Sequence, residues 1–137
     1  MIKRFFRLFF LVIRAIEIKD FLEVEKMESI TAALKEKDEY LKKLGQVLPR
    51  QMAGFARLKE GSSAGVLDEK TRKLIGVSLG VASQCHWCIA IHVKEALDAG
   101  ATKEEIPDSG WQAVFMGGGP KLMYMQYVVK ALEELAR

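Results

Sequence analysis

The chain has 137 residues, half of them hydrophobic and 28% charged, with a formal net charge of +3 and two cysteines. That length suits one domain with its own core. The small charge, with no basic patch interleaved with aromatics beyond the N-terminus, gives no reason to expect a nucleic-acid partner. Two cysteines are too few for the disulfide framework of a small secreted domain, so a cytoplasmic chain is expected, its thiols used for catalysis or metal.

Residues 1–26 stand apart. MIKRFFRLFFLVIRAIEIKD is basic and strongly apolar, yet its longest unbroken apolar run is Leu8 to Ile13, between Arg7 and Arg14. A spanning helix needs about 20 mostly apolar residues, and a signal peptide needs a small-residue cleavage site. Neither is present, so a membrane is not the expected partner. On a helix, Lys3, Arg7 and Arg14 share one face while Phe5, Phe6, Phe9, Val12, Ile13 and Ile16 cover much of the rest. This predicts an accessory helical arm packed on the domain or a partner subunit, although a helix lying on a bilayer surface has the same pattern and a segment the domain does not need stays a third reading.

Residues 27–137 read as a run of helices. Ser29 caps the first, which is expected to end at Gly45. Pro49 opens a second, stopped by Gly61-Ser62-Ser63. Asp68 caps a third over Glu69 to about Ala82, in which Gly76, Ser78, Gly80 and Ala82 leave room for a close neighbour. After a break near Ser83-Gln84, a fourth runs to Gly100. Thr102 and Glu105 form a capping box for a fifth, reaching Gly117-Gly118-Gly119-Pro120, and a last helix covers Lys121 to about Ala136. That glycine run precedes Lys121 but lacks the G-K-[ST] of a phosphate loop and follows no strand. No period-two alternation or hairpin signal occurs. The fold class is all-α.

All the cysteines and histidines of the chain lie in SQCHWCIAIH, Ser83 to His92. Covalent haem requires C-x-x-C-H, and Ile89 follows Cys88. Zinc would find three ligands in Cys85, Cys88 and His92 where a tetrahedral site takes four. A structural disulfide across so short a loop gains little stability. A redox dithiol accounts for more. On a helix, Cys85 and Cys88 are an i, i+3 pair, and His92 follows Cys88 by one turn on the same face, where an imidazole can take a thiol proton. A position in the first helical turn would lower the Cys85 pKa further. Trp87, between the cysteines, suits a thiol shield, a pocket wall or a packed aromatic equally. No cofactor and no metal are expected.

LDEKTRKLIGVSLGVASQCHWCIAIHVKEALDAGATKEEI resembles the alkylhydroperoxidase AhpD-like branch of the carboxymuconolactone decarboxylase family, from about Val66 to the C-terminus and more faintly back to Met27. The C-x-x-C-x-x-x-H motif carries the resemblance, with the L-D-x-K-T-R helix opening before it and the A-G-A-T turn after it. It implies an AhpD-like helical fold, assembly into a homo-oligomer (trimer or hexamer), and hydroperoxide reduction with a protein or small-thiol reductant. In that picture Cys88, coupled to His92, attacks peroxide and Cys85 resolves it. The family commonly has a glutamate twelve residues before the first cysteine; here Lys73 stands there, a candidate site residue whose ammonium can lower a thiol pKa electrostatically. Glu69, one turn earlier, is the substitute carboxylate on that helix, and His86 is a further candidate beside the thiols. Two alternatives stay open. One is a lactone decarboxylase like the family's other branch, with no evident need for two cysteines. The other is a non-catalytic oligomeric protein, which Lys73 favours.

Overall fold

The computed structural model describes residues 29–136, all of whose regular structure is helical. The expectations for residues 1–26 lie outside the described residues. Six helices follow in order: α1 Ile30–Val47, α2 Pro49–Ser63, α3 Glu69–Ala82, α4 His86–Asp98, α5 Glu105–Gly117 and α6 Gly119–Leu135.

Local chemistry sets most of the boundaries. The Ser29 hydroxyl accepts the Ala32 N–H at 3.3 Å. Asp68 accepts the Thr71 N–H at 2.9 Å and the Thr71 hydroxyl at 2.6 Å. The capping box is reciprocal: Thr102 Oγ1 accepts the Glu105 N–H at 3.2 Å, and Glu105 Oε2 accepts the Thr102 N–H at 2.9 Å. These side chains take up N–H groups that the first turn of a helix cannot satisfy internally.

Two ends differ from the sequence expectation. α1 runs through Gly45 to Val47 and α2 through Gly61 to Ser63. A glycine costs a growing helix only about 1 kcal/mol relative to alanine. Proline is the harsher stop, because it strips a donor and biases the residue before it away from helical backbone. α1 accordingly ends just before Pro49. Between α5 and α6 the chain breaks at Gly118, whose φ of +67° is open to glycine without strain.

The tightest packing joins α3 to α4 and α5, with α6 closing against α4 and α5 and the start of α1 against α4 and α6. Ile30, Val77, Val81, Ile89, Val93, Ile106 and Val128 are fully buried there. Gly76 and Gly80, one turn apart, are the buried small residues of α3, while Ala82 is exposed. They set how closely α4 approaches, and α4 carries the cysteines.

Candidate active site

The α3–α4 corner brings the thiols to a helix N-terminus. Gln84 adopts a left-handed φ of +55°, which turns the chain sharply between the two helices. The Cys85 N–H then bonds back to the Gly80 carbonyl at 3.1 Å, and Cys85 becomes the N-cap of α4. Its sulfur accepts the Cys88 N–H at 3.1 Å. Cys85 and Cys88 are disulfide-bonded, their Cα atoms 5.2 Å apart, and both are half-buried. On reduction, a Cys85 thiolate would face the unsatisfied N–H groups of the first turn, which favour the ionised sulfur.

His92 lies one turn beyond Cys88 on α4, its imidazole seated in the notch left by Gly76. A Cβ added at Gly76 would fall 2.6 Å from His92 Nδ1 and 2.7 Å from its Cγ. At Gly80, an added Cβ would come within 3.1 Å of the Ile89 nitrogen and 3.3 Å of the Cys88 carbonyl carbon. The two glycines thus carry the cysteine turn and the imidazole on adjacent turns of α3.

The carboxylate beside His92 is Glu95, a residue that sequence reasoning passed over. Its Oε2 stands 3.4 Å from His92 Nδ1 and accepts a 3.0 Å hydrogen bond from the Lys73 ammonium. Oε1 lies 3.4 Å from the Lys59 ammonium of α2. The His92 contact has ion-pair distance but not hydrogen-bond alignment, so the buried Nδ1 has no hydrogen-bond partner in this conformation. Burial pushes the His92 pKa below its ordinary value; the Glu95 charge opposes this and Lys73 adds to it. The imidazole is therefore neutral around physiological pH and able to accept a proton. Burial alone would raise the Glu95 pKa, but the Lys73 hydrogen bond and charge, with Lys59, hold it below the usual carboxylate value.

Lys73 thus meets the histidine site as the cation that fixes a carboxylate. Glu69 is exposed in the first turn of α3, and its carboxylate makes no hydrogen bond or ion pair among the described residues. His86, the first residue of α4, has its ring centroid 5.7 Å from Trp87 and 5.6 Å from Tyr127 of α6. Trp87 forms part of the wall of a cavity of about 350 Å³ completed by Glu36, Lys37, Tyr40 and Leu41 of α1. Among the described residues no group of three or more His, Cys, Asp or Glu side chains is arranged to hold a metal ion.

Fold and site together define an all-helical protein with a cysteine pair at a helix N-terminus and a histidine one turn on. The family model for the carboxymuconolactone decarboxylase family matches residues 49–134, and the chain belongs to that family. The crystal structure of an apo carboxymuconolactone decarboxylase family protein from Legionella pneumophila is similar, with a TM-score of 0.75 and 37% identity. That similarity covers 79% of this chain and 97% of the Legionella chain. Protein 4 in the cox locus of Paracoccus denitrificans is 38% identical over 71 residues, which are 52% of this chain and 64% of that protein. A protein of Cupriavidus necator is 35% identical over 82 residues, 59% of this chain and 73% of its own length. The family includes enzymes, both decarboxylases and peroxidases.

Proposed function

We propose that the protein is a thiol-dependent hydroperoxide reductase of the AhpD-like kind, working through the Cys85–Cys88 pair with His92 as proton acceptor and donor. The observation that carries this reading is the disulfide itself, formed at the first turn of α4 with the His92 imidazole one turn further on. In the reduced form His92 takes the Cys88 proton. The Cys88 thiolate attacks the terminal peroxide oxygen, forming an S–O bond as the O–O bond breaks; the leaving alkoxide takes a proton from water and departs as alcohol, while His92 keeps the Cys88 proton. Cys85 then attacks the sulfenic sulfur, an S–S bond forms, and water leaves. A dithiol reductant, protein or small molecule, attacks Cys85 and releases Cys88, which recovers its proton from His92; completion of the exchange leaves the reductant as the disulfide. The cavity walled by Trp87, Tyr40 and Leu41 offers apolar surface to an organic substrate, its Trp87 standing between the two cysteines in sequence. We place the protein in the cytoplasm as a homo-oligomer, trimer or hexamer.

The test is hydroperoxide consumption supported by a dithiol. Turnover is expected to fall at least about a hundredfold in both Cys85→Ser and Cys88→Ser. Cys85→Ser is expected still to consume one equivalent of peroxide and stop at the sulfenic acid, whereas Cys88→Ser consumes none. A lactone-decarboxylating activity that survives both changes, with no peroxide turnover in the native chain, would overturn the reading.

A further inference from the structure

We infer that Glu95 is a positioning residue for His92: its carboxylate, held by Lys73 and Lys59, receives the Nδ1–H of the imidazole and leaves Nε2 as the atom that accepts the thiol proton. The inference rests on the dithiol reading above and adds a member to it. Three observations on separate elements support it. His92 Nδ1 is buried and unbonded, with one carboxylate oxygen 3.4 Å away. That oxygen is fixed from α3 by Lys73 at 3.0 Å, and the other oxygen is approached from α2 by Lys59 at 3.4 Å. The ring lies in the notch at Gly76, where an added Cβ would fall 2.6 Å from Nδ1, so α3 sets the place of the nitrogen that Glu95 approaches.

The chemistry follows from how imidazole tautomers are chosen. The nitrogen that donates to a neighbour carries the proton, and the other keeps its lone pair. A carboxylate at Nδ1 therefore makes Nε2 basic, and it stabilises the imidazolium that forms when Nε2 takes a proton. Lys73 and Lys59 keep that carboxylate charged, so the proton stays on the ring rather than passing to Glu95. Other charged groups border Glu95 without reaching His92. Lys37 and Asp38 of α1, with Lys94 and Asp98 of α4, line a cavity of about 260 Å³ that Glu95 also lines. Of all these, Glu95 is the acid paired with His92.

Nitrogen-15 NMR of the reduced full-length chain tests this without any substitution. The chain has two histidines, and His92→Ala assigns the signals. A neutral His92 protonated at Nδ1 is expected; protonation at Nε2 would overturn the inference. A second measurement follows thiol alkylation by iodoacetamide against pH, with helical circular dichroism as the folding control. Glu95→Gln keeps the shape and removes the charge. It is expected to slow alkylation near neutral pH about tenfold, the scale on which a hydrogen-bond partner of a working imidazole acts, and Glu95→Asp to recover part of the loss. If His92→Ala slows the reaction and Glu95→Gln does not, the role of Glu95 falls and the dithiol reading stands. If His92→Ala also alkylates like the native chain, the coupling of His92 to the thiols falls, and the role of Glu95 with it.

Discussion

At the scale of single residues, the site depends on an atom that is absent. Gly76 has no Cβ, and the space this leaves is where the His92 ring lies, with hypothetical contacts of 2.6 to 2.9 Å to three ring atoms. Gly76→Ala would gain up to about 1 kcal/mol of helix propensity. Against that stands an overpacking cost of about 1–3 kcal/mol, and the imidazole is the group able to move. The expected result is a chain that still folds, with stability changed by less than about 2 kcal/mol, but with thiol alkylation near neutral pH slowed toward the rate of His92→Ala. Gly45→Ala is the contrast, since a Cβ there meets nothing within 4 Å. It should stabilise by several tenths of a kcal/mol and leave thiol reactivity unchanged. Equal reactivity in Gly76→Ala and the native chain would mean that the notch does not hold the ring.

At the scale of helices, the ends carry information that composition does not. Glu134, near the end of α6, accepts the Ile30 N–H at 3.0 Å, the Thr31 N–H at 3.1 Å and the Ser29 hydroxyl at 3.0 Å. One carboxylate thus caps the first turn of α1 from another helix, about a hundred residues away. The Ile30 N–H chiefly, with Thr31 and Ser29 behind it, holds the Glu134 pKa below the ordinary carboxylate value. A folded-state pKa below the unfolded one stabilises the fold above the ordinary carboxylate range, and that contribution is lost as pH falls through the folded value. Glu134→Ala is expected to lower unfolding stability by about 0.5–1 kcal/mol near neutral pH, the low end for a cap because water competes at this site. Denaturant titration at neutral and acid pH checks it: the gap between variant and native chain should close in acid, and a gap independent of pH would rule the carboxylate out as its source.

The same scale shows what was readable in the sequence. Ser29, Asp68 and the Thr102–Glu105 box act within three residues of themselves, so spacing alone identifies them. Cys85, Cys88 and His92 share one helix and one face, and are visible for the same reason. Gly45 and Gly61 misled as stops because one glycine's cost is small beside the gain of adding another helical bond. Glu134 at α1 and Lys73 at Glu95 join residues on different helices, and only the packing of those helices decides such pairs. Glu95 itself was within reach of sequence reasoning, three residues past His92 on one helix. The family's usual carboxylate position falls on Lys73 of α3, which by sequence alone points to Glu69 on the same helix rather than to Glu95 on α4.

For the whole molecule, the described helices carry exposed apolar side chains in stripes. On α3, Ile75 and Leu79 lie one turn apart and are exposed, Leu79 by 60%. On α5, which packs against α3, Trp111 and Phe115 repeat the spacing, and Phe115 is 80% exposed. α2 buries none of its residues, while Phe55 and Leu58 stand open on one side of it. Single exposed apolar side chains are ordinary; stripes on neighbouring helices suit an interaction surface, and a second copy of this chain is the occupant the homo-oligomer proposal calls for. The inner side of α3 carries Lys73 and Gly76, so a subunit docked on Ile75 and Leu79 would brace the same helix that holds Glu95 and the His92 ring. The full chain is therefore expected to behave as a homo-oligomer in light scattering at micromolar concentration, with the mass deciding between three and six copies. Leu79→Glu and Phe115→Glu each place a charge in that surface, where an unpaired buried charge costs several kcal/mol, and should shift the mass toward the monomer. A native chain that scatters as a monomer, or variants that assemble like it, would leave these stripes facing solvent and remove the bracing of α3 with them.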